Sequence, residues 1–288
     1  MIPNYSYSSS VKSERSDELI NTYVMRPLAG LLVRLLYPTP VTPNQVTIAS
    51  TVIGCVAACL YLAAQPAWTL AAGLFISLKD LLDSADGQLA RAKGMYSRFG
   101  RFLDSIGDFI VNLAVFSAIG AVLVQETGNP RIVLLAFLGF LGISLRVSYH
   151  VFYQSSYLHL HESYTTNRTT EEVREEDRHA NRRVLFMQRL FQVLYGWQDR
   201  LVMRLDNWCG RAGLTEEDQL HRWYADPLGL RLSGLLGIGT ELFQLMLFSL
   251  AGRLDLYLWW NAVALNGLWF ATMVYRRRVL YPILREKQ

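Results

Sequence analysis

Between Asp83 and Asp108 the chain reads DSADGQLARAKGMYSRFGRFLDSIGD, which places carboxylates at Asp83, Asp86, Asp104 and Asp108. On helices the first pair lies about 4.5 Å apart along the axis and the second about 6 Å, so each pair shares a face. A turn at Lys93 to Tyr96 makes the two helices an antiparallel hairpin, in which all four carboxylates can face one cavity. Two unit charges about 6 Å apart repel by about 3 kcal/mol at an effective dielectric of about 20, so such a cluster takes up protons or binds cations. Hard carboxylate oxygens with no His or Cys nearby favour Mg²⁺ or Mn²⁺ over Zn²⁺, and Mg²⁺ commonly bridges a substrate's phosphates. A phosphate-bearing substrate follows.

Small residues around the aspartates point the same way. Gly87 costs its helix about 1 kcal/mol relative to alanine, which is explained where a ligand or another backbone comes close. Ala90 continues that smooth strip, Arg91 ends it with a guanidinium fork suited to phosphate, and Gly100 makes the matching gap before Asp104. Close helix packing would account for one such glycine. It does not account for the set.

The elements that carry these residues are apolar. The chain has 288 residues, 51% hydrophobic and 18% charged, with a mean hydropathy of +0.17, which fits a polytopic membrane protein better than a soluble one. Val46 to Ala64 is uncharged over about the 20 residues a spanning helix needs. Ile106 to Val124, Ile132 to Leu145, Leu232 to Leu250 and Leu256 to Tyr275 are similar, and Trp68 to about Arg91 is apolar only in its first half. The expectation is therefore an all-α, six-transmembrane-helix bundle. Asp83 and Asp86 then lie within the membrane thickness near its cytoplasmic side, where carboxylates are costly and line functional cavities. Basic residues gather on one side of the spans, at Arg15, Arg26 and Arg34, at Lys93, Arg98 and Arg101, and at Arg276 to Arg278. By the positive-inside rule both termini are cytoplasmic. The net charge of +4 is a topology signal, and no aromatic-interleaved basic stripe argues for nucleic acid.

The organisation expected is a tail and amphipathic helix over 1–42, four spans over 43–154, a cytoplasmic amphipathic insertion over 155–227, and two spans with a basic tail over 228–288. Asp17 to Leu36 alternates polar and apolar residues at helical spacing and reads as an interfacial helix, kinked or divided at Pro27. In YPTPVTPNQVT either Thr42 or Asn44 caps the next helix. Within the insertion, Val184 to Trp208 is an amphipathic helix pattern, read as an interfacial or dimer-packing element in preference to a separate catalytic domain. Asn167 to Thr169 matches a glycosylation sequon, irrelevant on the cytoplasmic side. Cys55, Cys59 and Cys209 read as small core residues. The polar N-terminus has no cleavable-signal pattern and the first span serves as its own insertion signal.

The aspartate segment resembles a family. It fits the signature D-x2-D-G-x2-A-R-x8-G-x3-D-x3-D of the CDP-alcohol phosphotransferases at every defined position, and TPNQVT resembles the Pro-Asn-x-x-Thr segment that opens the first span in that family. The resemblance covers Pro43 to Tyr149 and the six-helix plan, and leaves the insertion out. It implies transfer of a phosphatidyl or similar group from a CDP-alcohol, such as CDP-diacylglycerol, to an acceptor alcohol with release of CMP. Asp83, Asp86 and Asp104 would hold Mg²⁺ or Mn²⁺, two ions in all. Asp108 would be the general base, and is also counted among the metal ligands. Gly87, Ala90, Arg91 and Gly100 would shape the cytidine nucleotide site, with Asn44 and Thr47 from the first span. A homodimer, a membrane-lipid donor and a small polar acceptor are implied as partners.

The acceptor is harder to read. Ser105 stands where glycerol-phosphate-using members often have proline, and Phe109 to Asn112 differs from the run found in serine-using members. RFGRFLDS looks closer to the inositol-phosphate type. A phosphorylated acceptor needs further cations, for which Arg98, Arg101, Arg146 and Arg231 are the candidates. Arg146 would alternatively snorkel from a span end, Glu241 is either a cavity residue or an interhelical partner, and His150 reads as packing. Two other classes compete: an intramembrane Mg²⁺-dependent prenyltransferase, which would carry two aspartate-rich motifs, and a cation transporter, which would show repeats and broken helices.

Overall fold

A few polar residues, prolines and glycines set where each helix begins and ends. The computed structural model describes Tyr7, residues 18–161 and residues 182–286, and all regular structure among them is helical. The sequon and most of the charged stretch of the insertion lie outside the described residues. Helix α1 (Arg26–Leu36) follows a π turn at Asn21–Met25. Pro27 does not divide it. The widened turn immediately before accommodates a residue that cannot donate a backbone hydrogen bond. The helix buries Ala29, Gly30 and Val33 and exposes Leu28, Leu31 and Leu35.

Helix α2 (Pro43–Leu62) is capped by Thr42 through a reciprocal capping box with Gln45, so the cap is Thr42 and not Asn44. Helix α3 (Pro66–Lys93) ends at Gly94, whose φ of 64° suits glycine. Helix α4 (Arg98–Thr127) starts under the Ser97 hydroxyl, which accepts from Gly100 N at 2.9 Å. The Lys93 ammonium then staples the hairpin to the preceding loop, donating to the carbonyls of Thr39 at 2.8 Å and Val41 at 2.7 Å. Helix α5 (Arg131–His161) completes the first half, and α6 (Arg182–Cys209) crosses against α4 and α5. After it come α7 (Glu217–Tyr224), α8 (Pro227–Gly234) and α9 (Ile238–Leu250). The chain closes with a continuous helical rod of α10 (Leu254–Trp259), α11 (Asn266–Tyr275) and α12 (Tyr281–Arg285), joined by π turns at Trp260–Leu265 and Arg276–Leu280.

Four stretches are long and apolar enough to cross a membrane: Pro43–Leu62, Arg98–Thr127, Arg131–Leu160 and Glu217–Leu250. Helix α3 has 28 residues, ample length, but its second half is charged. The main core lies where α2, α3, α4, α5, α9 and α10 meet, around Tyr61, Ile76, Ile119, Ile143, Leu245 and Tyr257. Cys209 is buried, Cys55 half-buried, and Cys59 turns outward, so the core reading fails for Cys59.

Two buried polar networks clamp the second half. Arg146 on α5 is fully buried, donating to Glu241 on α9, through Nε at 2.8 Å, to the Asn261 carbonyl at 3.2 Å and to the Asn266 side chain. Asn261 in turn donates to the other Glu241 oxygen at 2.9 Å. Glu241 is thus an interhelical partner. On α6, Asp206 accepts from the Tyr153 hydroxyl, from Trp223 Nε1 at 2.9 Å and from the Tyr224 hydroxyl at 2.9 Å. Arg276 stacks on the Tyr153 ring at 3.6 Å from its centroid. Arg276 also donates to the Trp223 carbonyl at 3.1 Å, which docks the insertion on the rod.

The expected fifth span is interrupted at Leu235–Gly237, and a distant residue completes the interruption. The Glu18 carboxylate, 3% exposed, accepts from Thr240 N at 2.8 Å and Thr240 Oγ1 at 3.2 Å, so it caps α9. A Cβ on Gly237 would lie 2.1 Å from the Glu18 carboxyl carbon, whereas nothing lies within 4 Å of one on Gly267. Gly237→Ala is therefore expected to lower stability by about 1–3 kcal/mol through overpacking, and Gly267→Ala to be neutral or to add up to about 1 kcal/mol of helix propensity. Thermal unfolding of the two variants in detergent micelles checks the contrast.

Candidate active site

Because α3 packs antiparallel and α4 parallel to α2, the hairpin brings its acids together as the spacing predicts. One carboxylate oxygen from each of Asp83, Asp104 and Asp108 lies within 4.8 Å of the others. Asp86 lines the same cavity, of about 280 Å³, with these three. It is held from α2, where the Thr47 hydroxyl donates to Asp86 Oδ2. Thr47, expected at the nucleotide site, thus meets the cavity through a carboxylate.

The remaining sequence candidates divide into two groups. Gly87 and Arg91 line the cavity with the aspartates. Gly100 sits at the close approach of α4 to α2, where an added Cβ would stand 2.7 Å from Asn44 Oδ1, so Asn44 and Gly100 belong to one contact. Ala90 is half-buried on α3, one turn from Asp86. Arg98 and Arg101 lie at the start of α4 with their guanidinium carbons 5.9 and 5.5 Å from the Phe102 ring centroid. None of Arg98, Arg101, Arg146 and Arg231 lines the cavity: the first two stand at the start of α4, Arg146 is committed to Glu241 and its neighbours, and Arg231 is exposed on α8.

Several site residues escape sequence reasoning. Lys79, 1% exposed, donates to Asp83 Oδ2 at 3.1 Å and to Asp108 Oδ1, inside the carboxylate cluster. Asp80 adds a fifth carboxylate to the cavity, and its Oδ2 is buried without a hydrogen-bond partner. Ser50 on α2 donates to Asp83 Oδ1 at 3.2 Å and to the Lys79 carbonyl at 3.0 Å. The signal was present: Lys79 and Asp83 are four apart on one helix face, and Asp80, Asp83 and Asp86 form a ladder of threes. The far wall has no such signal. Glu18, Asn21 and Arg26 arrive from the N-terminal segment, and His150 and Gln154 from α5. Tyr195 arrives from α6, where its hydroxyl donates to the Ser105 carbonyl at 2.7 Å, next to Asp104 in the chain.

The donor set fits a hard divalent cation. Three carboxylates converge, and Asp104 Oδ1 among them is buried with no hydrogen-bond partner. An unpartnered buried oxygen of this kind is costly unless a cation or ordered water completes it. The cavity then offers a cation site on one wall, the Arg91 fork beside it, and a polar opposite wall from α5, α6 and the N-terminal segment. This arrangement can bind a diphosphate and hold a second polar molecule against it.

Comparison with known proteins agrees with this geometry. Residues 40–169 match the CDP-alcohol phosphatidyltransferase family. A bifunctional IPC transferase and DIPP synthase of Thermococcus kodakarensis is 32% identical over 46% of this chain and 29% of that protein. A phosphatidylinositol phosphate synthase of Corynebacterium glutamicum is 32% identical over 44% of this chain and 55% of its own length. An archaetidylinositol phosphate synthase of Pyrococcus horikoshii is 39% identical over 27% of this chain and 40% of its own. The chain spans less than two thirds of each of these relatives. The segment that matches the CDP-alcohol phosphatidyltransferase family holds every aspartate of the cluster.

Proposed function

We propose that the protein is a membrane-embedded transferase that moves the phosphatidyl group of a CDP-alcohol, such as CDP-diacylglycerol, to an acceptor alcohol and releases CMP. The observation that carries this reading is the convergence of Asp83, Asp104 and Asp108 beside Asp86 and Arg91 in one cavity, within a segment that matches the family. Asp83, Asp86 and Asp104 hold Mg²⁺ or Mn²⁺, two ions in this reading, with Asp108 also within reach. Bound there, the metal screens the diphosphate and stabilises the charge that develops on it. Gly87, Ala90, Arg91 and Gly100, with Asn44 and Thr47, shape the nucleotide site.

Asp108 takes the proton from the acceptor hydroxyl. The freed oxygen forms a bond to the phosphorus bearing the lipid, the bond from that phosphorus to the bridging oxygen breaks, and the electron pair leaves with CMP. Arg91 stays on the leaving phosphate throughout. The acceptor is an inositol phosphate in this reading. It is supported by the relatives named archaetidylinositol phosphate synthase and phosphatidylinositol phosphate synthase and by the RFGRFLDS segment. Arg98 and Arg101 are the candidates for its phosphate, and Arg26, which lines the cavity, joins them in place of Arg146 and Arg231.

The membrane arrangement belongs to the same proposal. Six spans are formed by α2, α3, α4, α5, α9 and the terminal rod, with residues 1–42 before them, 155–227 inserted between the fourth and fifth, and both termini cytoplasmic. Helix α6 supports an interfacial placement. At about 100° per residue its circumference divides into a protein face of Gln188, Phe191, Tyr195 and Val202, an outward apolar face of Phe186, Val193, Trp197 and Trp208, and a polar flank with Arg189 and Arg200. The protein acts as a homodimer in this reading.

Purified protein supplied with CDP-diacylglycerol, Mg²⁺ and a panel of alcohols is expected to release CMP, fastest with inositol phosphate, and to stop when EDTA removes the metal. Absence of release with every acceptor, together with ion flux in proteoliposomes, would transfer the aspartates to a transport pathway. Asp108→Asn is expected to retain metal and nucleotide binding while turnover falls by about 10²–10⁴-fold. Loss of CDP-alcohol binding in that variant would instead make Asp108 chiefly a metal ligand.

A further inference from the structure

The position of Lys79 has no counterpart in the chemistry described so far. Its ammonium enters the carboxylate cluster from behind. Asp83 and Asp108 line the cavity, Lys79 does not, and its nitrogen meets one oxygen of each. The approach is built from three sides. Gly54 on α2 leaves room for the lysine stem, because a Cβ there would stand 3.2 Å from Lys79 Cγ and 2.6 Å from Val111. The Ser50 hydroxyl fixes the backbone at Lys79 through its carbonyl and the Asp83 side chain through Oδ1. The i, i+4 spacing on α3 aims the ammonium at Asp83, and α4 brings Asp108 to its other side.

The geometry points to Lys79 as a resident cation of the metal centre, a positioning residue that holds Asp83 and Asp108 from the interior and limits how tightly divalent ions bind on the cavity side. Two consequences oppose each other. By fixing one oxygen of Asp108, the ammonium turns the other toward the cavity, which favours proton transfer from an acceptor there. By standing next to the cation site, its positive charge repels a divalent ion in a medium where charges interact far more strongly than in water. Tight cation binding and a well-aimed base are therefore traded against each other at one side chain. A residue that served only to hold the fold would show no such opposition, since its loss would disorder the ligands and weaken both.

This assignment rests on the reading of the aspartates as cation ligands, and the test separates the two. Mn²⁺ binding to wild-type, Lys79→Met and Lys79→Gln protein in detergent is measured by isothermal titration, with CMP release measured in parallel. Both variants are expected to bind Mn²⁺ about ten-fold or more tightly, the loss of one like charge close to the site. Turnover is expected to fall in both, less in Lys79→Gln, which keeps an N–H donor without the charge. Lys79→Gln carries the affinity comparison where Lys79→Met does not purify as a monodisperse species. Mn²⁺ affinity that is unchanged or weaker in the variants, against a wild type that binds the ion, overturns the role of Lys79 and leaves the cation site standing. A wild type that takes up no Mn²⁺ overturns both.

Discussion

The cost of removing charge from water governs this structure. Asp80, Asp83, Asp86, Asp104 and Asp108 are packed with Lys79 where three apolar helices meet. An unpaired buried charge costs several kcal/mol, so the cluster persists only with partners. The chain supplies some of them as Lys79, Ser50 and Thr47. It leaves the rest to whatever enters the cavity. Much of the surrounding architecture follows from that demand. Gly54 and Gly107 let α2 and α4 approach, since Cβ atoms there would strike Val111 and Thr51, and Lys93 and Ser97 hold the hairpin that sets the two pairs of acids face to face.

What could be read from the chain depended on whether the relevant contact was local. The paired aspartates and the turn at Lys93 to Tyr96 are encoded within a few residues, and spacing recovers them, while the cap was narrowed to Thr42 or Asn44. The helix at Arg182–Cys209 was visible for the same reason. Arg146 shows the limit. A cation in a span signals a partner, but whether that partner is a ligand or Glu241 depends on the packing of α5 against α9, across 95 residues. The far wall of the cavity was illegible on the same grounds, since Glu18, His150 and Tyr195 are ordinary residues in their own segments and meet only in the fold. Lys79 and Asp80 are the exception, for their spacing was readable and they were hidden by the apolar residues around them.

The insertion proves to be part of the site more than an appendage. Tyr195 hydrogen-bonds the backbone beside Asp104, and Phe191 packs on Phe102 with ring centroids 5.3 Å apart. At its other end Asp206 is gripped by Tyr153, Trp223 and Tyr224. At that end the Cys209 thiol also meets the Met273 carbonyl and Arg277 donates to the Trp208 carbonyl, so helix α6 spans from beside the third aspartate to the terminal rod as a single strut. Its outward apolar residues, Phe186, Val193 and Trp197, lie on the side of the helix opposite the cavity wall.

The cap that Glu18 places on α9 has a consequence in time. Glu18 and Thr240 are 222 residues apart, and at synthesis rates of about 5–20 residues per second the carboxylate waits roughly 10–40 s for its partner. Through that interval the helices bearing the aspartates are already made while the wall opposite them is unfinished. The acids are thus in place before their wall is complete, and Ile238 joins that wall only when α9 arrives.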